Sequence, residues 1–457
     1  MDAWVLDIPA GTFFLDFSLM GLLLVIATWM RKKLKFLQWA LIPNNLTAGL
    51  LGLLLGMNGL ELLDLSSDRL GTYVYHLIAI LFIALGLRSP QRKTGRSSMA
   101  FGVIFILTYL MQALIGMGIA FVLIYTLMPD LFPGIGLMMP LSFGMNPGIA
   151  YTIGKNWEAF GFTNGGIVGL SFAAMGFVTA YTIGIYQTRA FAKSRQATDS
   201  GSSFEPANTS GLLDTPDTSQ AGAITTTSDV IESLTLHLSL IGAAYGLLIL
   251  ILNGLEAGLV WIGAEKEIQT LWSFHFVLSP VLALILRMVI QRLGAGHLID
   301  DTTMTRSGNV VMDFMIVASI AAISVQVVVD YFLPIILLSL VVGVASWYFI
   351  KTLVGQVFTE YYPERLVTVF GNLTGTLQSG LVLLRVLDPE MKTPASYNLV
   401  YGSGLALGFG FPLLLLINLP VNYMDNLLIG FWLVFAGMAG YFILMALVWA
   451  LVFLRKS

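Results

Sequence analysis

The chain has 457 residues, 57% of them hydrophobic and 11% charged, with a net charge of −3 and a mean hydropathy of +0.83. Soluble domains carry roughly 25% charged residues, so this composition excludes an ordinary soluble protein, and the acidic balance gives nucleic acid no electrostatic footprint. There is no cysteine, which removes disulfides, thiolate metal sites and thiol nucleophiles.

The chain begins MDAWVLDIPAGTFFLD, acidic where a signal peptide needs a basic n-region, so the first helix is expected to carry the targeting information. A membrane span needs about 20 mostly apolar residues. That ruler predicts spans near 12–30, 37–57, 72–88, 98–128 and 164–190, then 231–255, 269–292, 308–330, 332–351 and 396–418, with one more near 427–454. The tight hairpin around Asp330 and Pro334 is the least defined. Residues 196–229 are rich in Ser, Thr, Gly and Pro and nearly free of aromatics; such a segment cannot bury enough surface to fold and reads as a flexible linker. The linker divides the chain into a first repeat over 1–195 and a second over 230–426, leaving 427–457 as an extra C-terminal helix.

Basic residues gather on the cytoplasmic side of a membrane. Arg31, Lys32, Lys33 and Lys35 follow the first span, Arg88, Arg92, Lys93 and Arg96 the third, and Arg189, Lys193 and Arg195 the fifth. Arg287, Arg292 and Arg306 follow the seventh, Lys351 and Arg365 the ninth, and Arg455 and Lys456 the last. Only three of the 23 basic residues, Arg69, Lys155 and Lys266, fall in the opposite loops. This places the N-terminus outside an inner (cytoplasmic) membrane, with linker and C-terminus in the cytoplasm.

Two stretches interrupt the apolar pattern. Phe143–Gly154 reads FGMNPGIAYTIG and Phe370–Leu381 reads FGNLTGTLQSGL, and at a constant offset Phe143, Gly144, Gly148 and Thr152 fall on Phe370, Gly371, Gly375 and Ser379. Glycine-rich polar backbone is tolerated at membrane depth only inside protein or beside water, although small residues also serve close helix packing. The charge alternation survives only if neither stretch crosses the bilayer. Both are therefore expected to be re-entrant, 132–160 entering from outside and 365–392 from the cytoplasm. Five spans per half then makes the halves inverted. The expected fold is an all-α polytopic membrane protein: two inverted repeats of five transmembrane helices, each with a re-entrant loop, plus the extra C-terminal helix. Paired interruptions in corresponding places point to a transporter's binding site.

Unwound backbone beside Asn, Ser and Thr supplies oxygens to a sodium ion, and half-helix N-termini face anions. The candidates are Ser142, Gly144, Asn146, Gly148 and Thr152 in the first stretch and Asn372, Thr374, Gly375, Thr376, Gln378 and Ser379 in the second. Each could equally cap or pack a half-helix. Charges at membrane depth are costly and tend to be functional. Arg385 could meet a substrate carboxylate or snorkel to the cytoplasmic face. Asp313, expected about one turn inside the eighth span, could be a cation ligand, a proton carrier or a helix-start carboxylate near Asn309. Lys155 and Glu158 are spaced to pair. His76, His237, His275 and His297 show no metal-ligand spacing, and Gly-x-Ser-x-Gly, HExxH, P-loop and dinucleotide signatures are absent. An enzyme is not expected, nor a resident cofactor.

The order of parts resembles the bacterial sodium/glutamate symporter family. RKKLKFLQWALIPNNLTAGLLGLLLG (31–56) is similar to its basic turn and second helix, LIAILFIALGLR (77–88) to its third helix, and SFGMNPGIAYTIGKNWEAFGFTNGG (142–166) to its first re-entrant loop; FGNLTGTLQSG (370–380) occupies the place of its second. The resemblance runs from about 12 to 418 and is stronger in the first half. It implies a sodium-coupled symporter of glutamate or a related amino acid, working by alternating access as a homodimer in the lipid bilayer. The glycine motifs are thinner than the family's, and the eleventh helix is an addition. A channel built on re-entrant loops and a ligand-binding relative that does not transport are the alternatives.

Overall fold

The computed structural model describes residues 10–89, 95–198, 222–227, 229–389, 391–420 and 426–454. No strand occurs among them. The helices are α1 Ala10–Lys33, α2 Lys35–Trp39, α3 Asn44–Leu55, α4 Ser67–Gly86, α5 Arg96–Thr126, α6 Pro147–Trp157, α7 Gly165–Thr198, α8 Ser233–Trp261, α9 Ile268–Ser273, α10 His275–Arg292, α11 Asp301–Ala321, α12 Val325–Asp330, α13 Phe332–Val357, α14 Tyr362–Thr374, α15 Leu377–Leu387, α16 Pro394–Asn418 and α17 Leu427–Trp449. Among the described residues, 8 helices are long and apolar enough to cross a membrane, or 9 if the bent Pro394–Asn418 pair is one span. Large apolar side chains such as Trp29, Leu250, Leu340 and Leu444 are exposed on them, as a lipid-facing surface requires. The chain is an all-helical, multi-pass membrane protein.

Two expected spans are broken. The stretch 37–57 divides at Pro43 into α2 and the 12-residue α3, because proline forces the chain extended and cannot donate to a preceding turn. The stretch 308–330 is not one helix: α11 starts earlier, at Asp301, where Asp300 Oδ2 accepts from Thr303 N at 2.7 Å, and it ends at Ala321 before α12. α11 also carries Asp301, Arg306 and Asp313 and is not among the long apolar helices. α16 bends by 43° near Gly408, one turn before Pro412, whose ring collides with that carbonyl. Most of the expected linker lies outside the described residues. Its last part is anchored, since Thr225 N donates to Ser233 Oγ at 3.2 Å.

The helices pack as two groups. In the first, α4 lies along α11, α3 packs on α11 and α10 on α4, while α1 and α8 cover α3 and α10. Asp16 of α1, fully buried, accepts from Arg69 Nε at 3.0 Å and from Tyr73 Oη at 2.8 Å, which ties α1 to α4 with its charge satisfied. In the second group α5 is central. Every residue from 100 to 113 is buried, and α5 contacts α13, α16, α17 and the Pro133–Leu137 turn. α7 completes this group by packing on α6, α13, α14 and α15. The additional helix α17 docks on α5, with Trp432 stacked on Phe121 at 4.2 Å.

Candidate functional site

Both Gly/polar stretches are helix breaks. In the first, a widened helical turn over Pro140–Met145 ends at Asn146, which is extended (φ −172°, ψ 145°). Pro147 dictates this: the residue before proline is pushed out of the helical region, and proline itself is well suited to open the next helix. Asn146 Oδ1 accepts from Gly148 N at 2.8 Å and caps α6. In the second, α14 ends at Gly375 and Thr376 is extended (φ −146°, ψ 172°). Thr376 Oγ1 accepts from Ser379 N at 3.5 Å and caps α15. α6 and α15 have 11 residues each. At 1.5 Å per residue each is about 17 Å long, roughly half the hydrocarbon thickness.

The two breaks lie side by side. Gly176 of α7 sits between them, and a Cβ there would be 2.5 Å from Thr374 O and 3.1 Å from the Phe143 ring. Buried Gln112 of α5 spans the same junction, donating to Leu373 O at 2.9 Å and to Ser346 Oγ at 3.1 Å. Leu373 belongs to the last turn of α14, where backbone carbonyls lack helical partners. Gln112 therefore satisfies a group that the break exposes.

The candidate residues divide sharply between the two breaks. Ser142 Oγ donates to Gly169 O at 3.0 Å, and Thr152 Oγ1 donates back to Gly148 O at 2.8 Å. Gly144 lies under Tyr109, and Gly148 lies against Ile78 and Met315. The Ser142 and Thr152 hydroxyls and the Asn146 side-chain oxygen of the first break thus all end on nearby backbone. In the second, Thr374 Oγ1 also bonds back, to Phe370 O at 2.8 Å, and Asn372 is buried in the last turn of α14. The residues beyond Gly375 reach outward. Ser379 Oγ accepts from Tyr181 Oη of α7 at 3.1 Å. Gln378 Oε1 accepts from Asn45 Nδ2 of α3 at 3.2 Å, and the same nitrogen donates to Asp313 Oδ1 at 2.7 Å. A small cavity of about 10 Å³, near the minimum for one water, is lined here by Asn45, Tyr181, Thr376, Gln378 and Ser379.

Two expectations need correction. Asp313 is not a helix-start carboxylate, because α11 begins at Asp301 and Asp313 is its 13th residue; Asn309 is exposed. Arg385 does not reach the site: it is exposed in the last turn of α15, where its charge complements the helix C-terminus. Lys155 and Glu158 do pair, at 2.7 Å. No group of three or more His, Cys, Asp or Glu side chains converges among the described residues. Sequence reading missed Asn45, Tyr181 and Gln112. Asn45 follows the Pro43 break in an apolar stretch, and Gln112 is a lone carboxamide in α5; an intramembrane polar residue is itself a signal. Tyr181 gives no comparable signal. No family model, curated protein or solved structure matches the chain.

Proposed function

We propose that this protein is a cation-coupled secondary transporter of a small organic anion, with sodium as coupling ion and glutamate or a related amino acid as the first substrate to test. The carrying observation is the pair of capped half-length helices, α6 and α15, each opening directly after a helix break, with α14 packed against the Pro140–Met145 turn so that the two breaks are neighbours. N-terminal helix ends favour anions, and interrupted backbone offers oxygens to cations. Gly148 of the first break faces Ile78 and Met315 of the α4–α11 group, and Gln378 of the second accepts from Asn45, which also donates to Asp313. Both breaks belong to one group and look onto the other, the arrangement that rigid-body alternating access needs.

In this reading both breaks are re-entrant and the halves are inverted repeats. α1 corresponds to α8, α3 to α10, α4 to α11 and α5 to α13. The packing supports that correspondence: α3 lies on α11 as α10 lies on α4, and α1 touches α11 as α8 touches α4. α17 stands outside the repeat. The N-terminus is external, the linker and C-terminus are cytoplasmic, and the membrane is the inner membrane of the cell.

Uptake of labelled glutamate into proteoliposomes tests the activity. Accumulation above equilibrium under an inward sodium gradient, absent with the same gradient of potassium, is expected. No uptake by folded, inserted protein rejects glutamate and sends the search to other small anions. Steady conductance without substrate coupling overturns the transporter reading in favour of a channel. The lack of native cysteine makes labelling of single cysteines a clean topology test. An impermeant maleimide added outside intact cells should modify Glu61→Cys and leave Lys193→Cys untouched. The opposite pattern would refute the orientation.

A further inference from the structure

Asp313 is a half-buried carboxylate in the middle of α11 whose polar surroundings are two neutral carboxamides. Asn45 Nδ2 donates to it at 2.7 Å, and the same nitrogen donates to Gln378 Oε1 at 3.2 Å. Arg306, on α11 itself, is exposed two turns before Asp313, and cations on the neighbouring elements are engaged elsewhere. Arg69 holds Asp16 and Asp64, Lys155 holds Glu158, Arg31 bonds to Ile42 O and Arg189 to Trp39 O. A carboxylate at this depth needs a compensating positive charge, and no side chain among the described residues supplies it.

The geometry marks where that charge goes. Asp313 Oδ1 and Gln378 Oε1 converge on one atom, Asn45 Nδ2, at 2.7 and 3.2 Å. Two acceptors that share one donor would share a cation equally well, so the partly positive amide hydrogens occupy a cation's seat. The adjoining cavity is lined by Thr376 and Ser379, whose hydroxyls are further oxygen donors. One carboxylate among neutral oxygens matches a single positive charge. A site for calcium would gather several acidic ligands, and none converge here.

We propose that Asp313 and Gln378 form a sodium site in which the Asn45 amide stands in for the ion while the site is empty. Asn45 is on α3, Asp313 on α11 and Gln378 on α15, so the site bridges the two helix groups. Sodium entry expels the Asn45 amide and exchanges its bond between α3 and α15 for ion contacts. Occupancy thereby alters the contact between the groups. The coupling consequence rests on the transporter reading above, whereas binding itself does not.

The test is equilibrium binding of radioactive sodium to purified protein in choline buffer at one fixed pH, with unlabelled sodium or potassium as competitor. Wild type should bind saturably and be displaced by sodium far better than by potassium. Asp313→Asn, which removes the one charged oxygen in contact with the ion, should weaken binding by about a hundredfold, since losing even a residue that only supports a ligand costs about 10–100-fold. Asn45→Leu, which removes the competing amide and keeps both oxygens, should tighten it. Wild-type-like binding by Asp313→Asn overturns the proposal, as does a loss of binding by Asn45→Leu as complete as that expected for Asp313→Asn. Should Asp313→Asn not fold, Gln378→Leu replaces it and must also weaken binding. Proton uptake by wild type with no sodium binding overturns sodium as the ligand. Sodium binding that depends on Asp313, without sodium-driven uptake of any anion, leaves the site standing and rejects the transporter. Sodium-driven uptake unchanged in Asp313→Asn does the reverse.

Discussion

At the first helix break Ser142, Asn146 and Thr152 bond to nearby backbone. Asn146 caps α6, Thr152 bonds one turn back and Ser142 holds the adjacent α7 backbone. Gly144 and Gly148 are filled over by Tyr109 and by Ile78 with Met315. At the second break, Thr376, Gln378 and Ser379 face a cavity and side chains from three other helices. The residue vocabulary is nearly the same in both. What differs is whether a hydrogen bond can be completed locally, and a polar residue that can complete one locally is withdrawn from ligand binding. The first break is packed over, whereas the second opens its side chains onto a cavity and onto other helices.

Glycine substitutions test this contrast with the largest effect. In Gly144→Val the first added carbon would lie 2.4 Å from the Tyr109 ring, and overpacking of a tight core costs about 1–3 kcal/mol; the variant should melt well below wild type or fail to fold. In Gly375→Ala the nearest atom is the hydroxyl of Ser379 at 2.7 Å, the end of a short side chain that can turn away, so stability should fall less while ligand and sodium binding change. Equal destabilisation in the two would erase the distinction. Helix caps come next. Asn146→Ala and Thr376→Ala should each cost about 1 kcal/mol of thermal stability, but only Thr376→Ala should shift sodium affinity. If Asn146→Ala shifts it as strongly, the first break is also a ligand site. Arg385→Gln should do least, leaving stability within about 0.5 kcal/mol and uptake unchanged. A large loss of uptake would restore Arg385 to the substrate site.

Much of the fold was legible without coordinates because the bilayer is a one-dimensional filter. Helices such as Arg96–Thr126 and Phe332–Val357 follow from apolar run length alone. The breaks were legible too, since Pro147 and Gly375 are local instructions that act on their own backbone. Expected spans failed at Pro43 and beyond Ala321, where run length was weighed above the helix breaker or the polar content. Of the candidate residues, Gln378, Ser379 and Asp313 are brought to one place, while Arg385 points away and Ser142 and Thr152 spend their hydroxyls on backbone.

By itself the sequence determined that the chain lives in a membrane, that it is helical, and where its two helices break, because hydropathy and backbone propensity are properties of a residue and its near neighbours. Only the tertiary structure decided which polar groups meet. Asn45 finds Asp313 across 268 positions and Gln378 across 333. Those meetings depend on how α3, α11 and α15 pack, and no local signal in any one of the three segments encodes the other two.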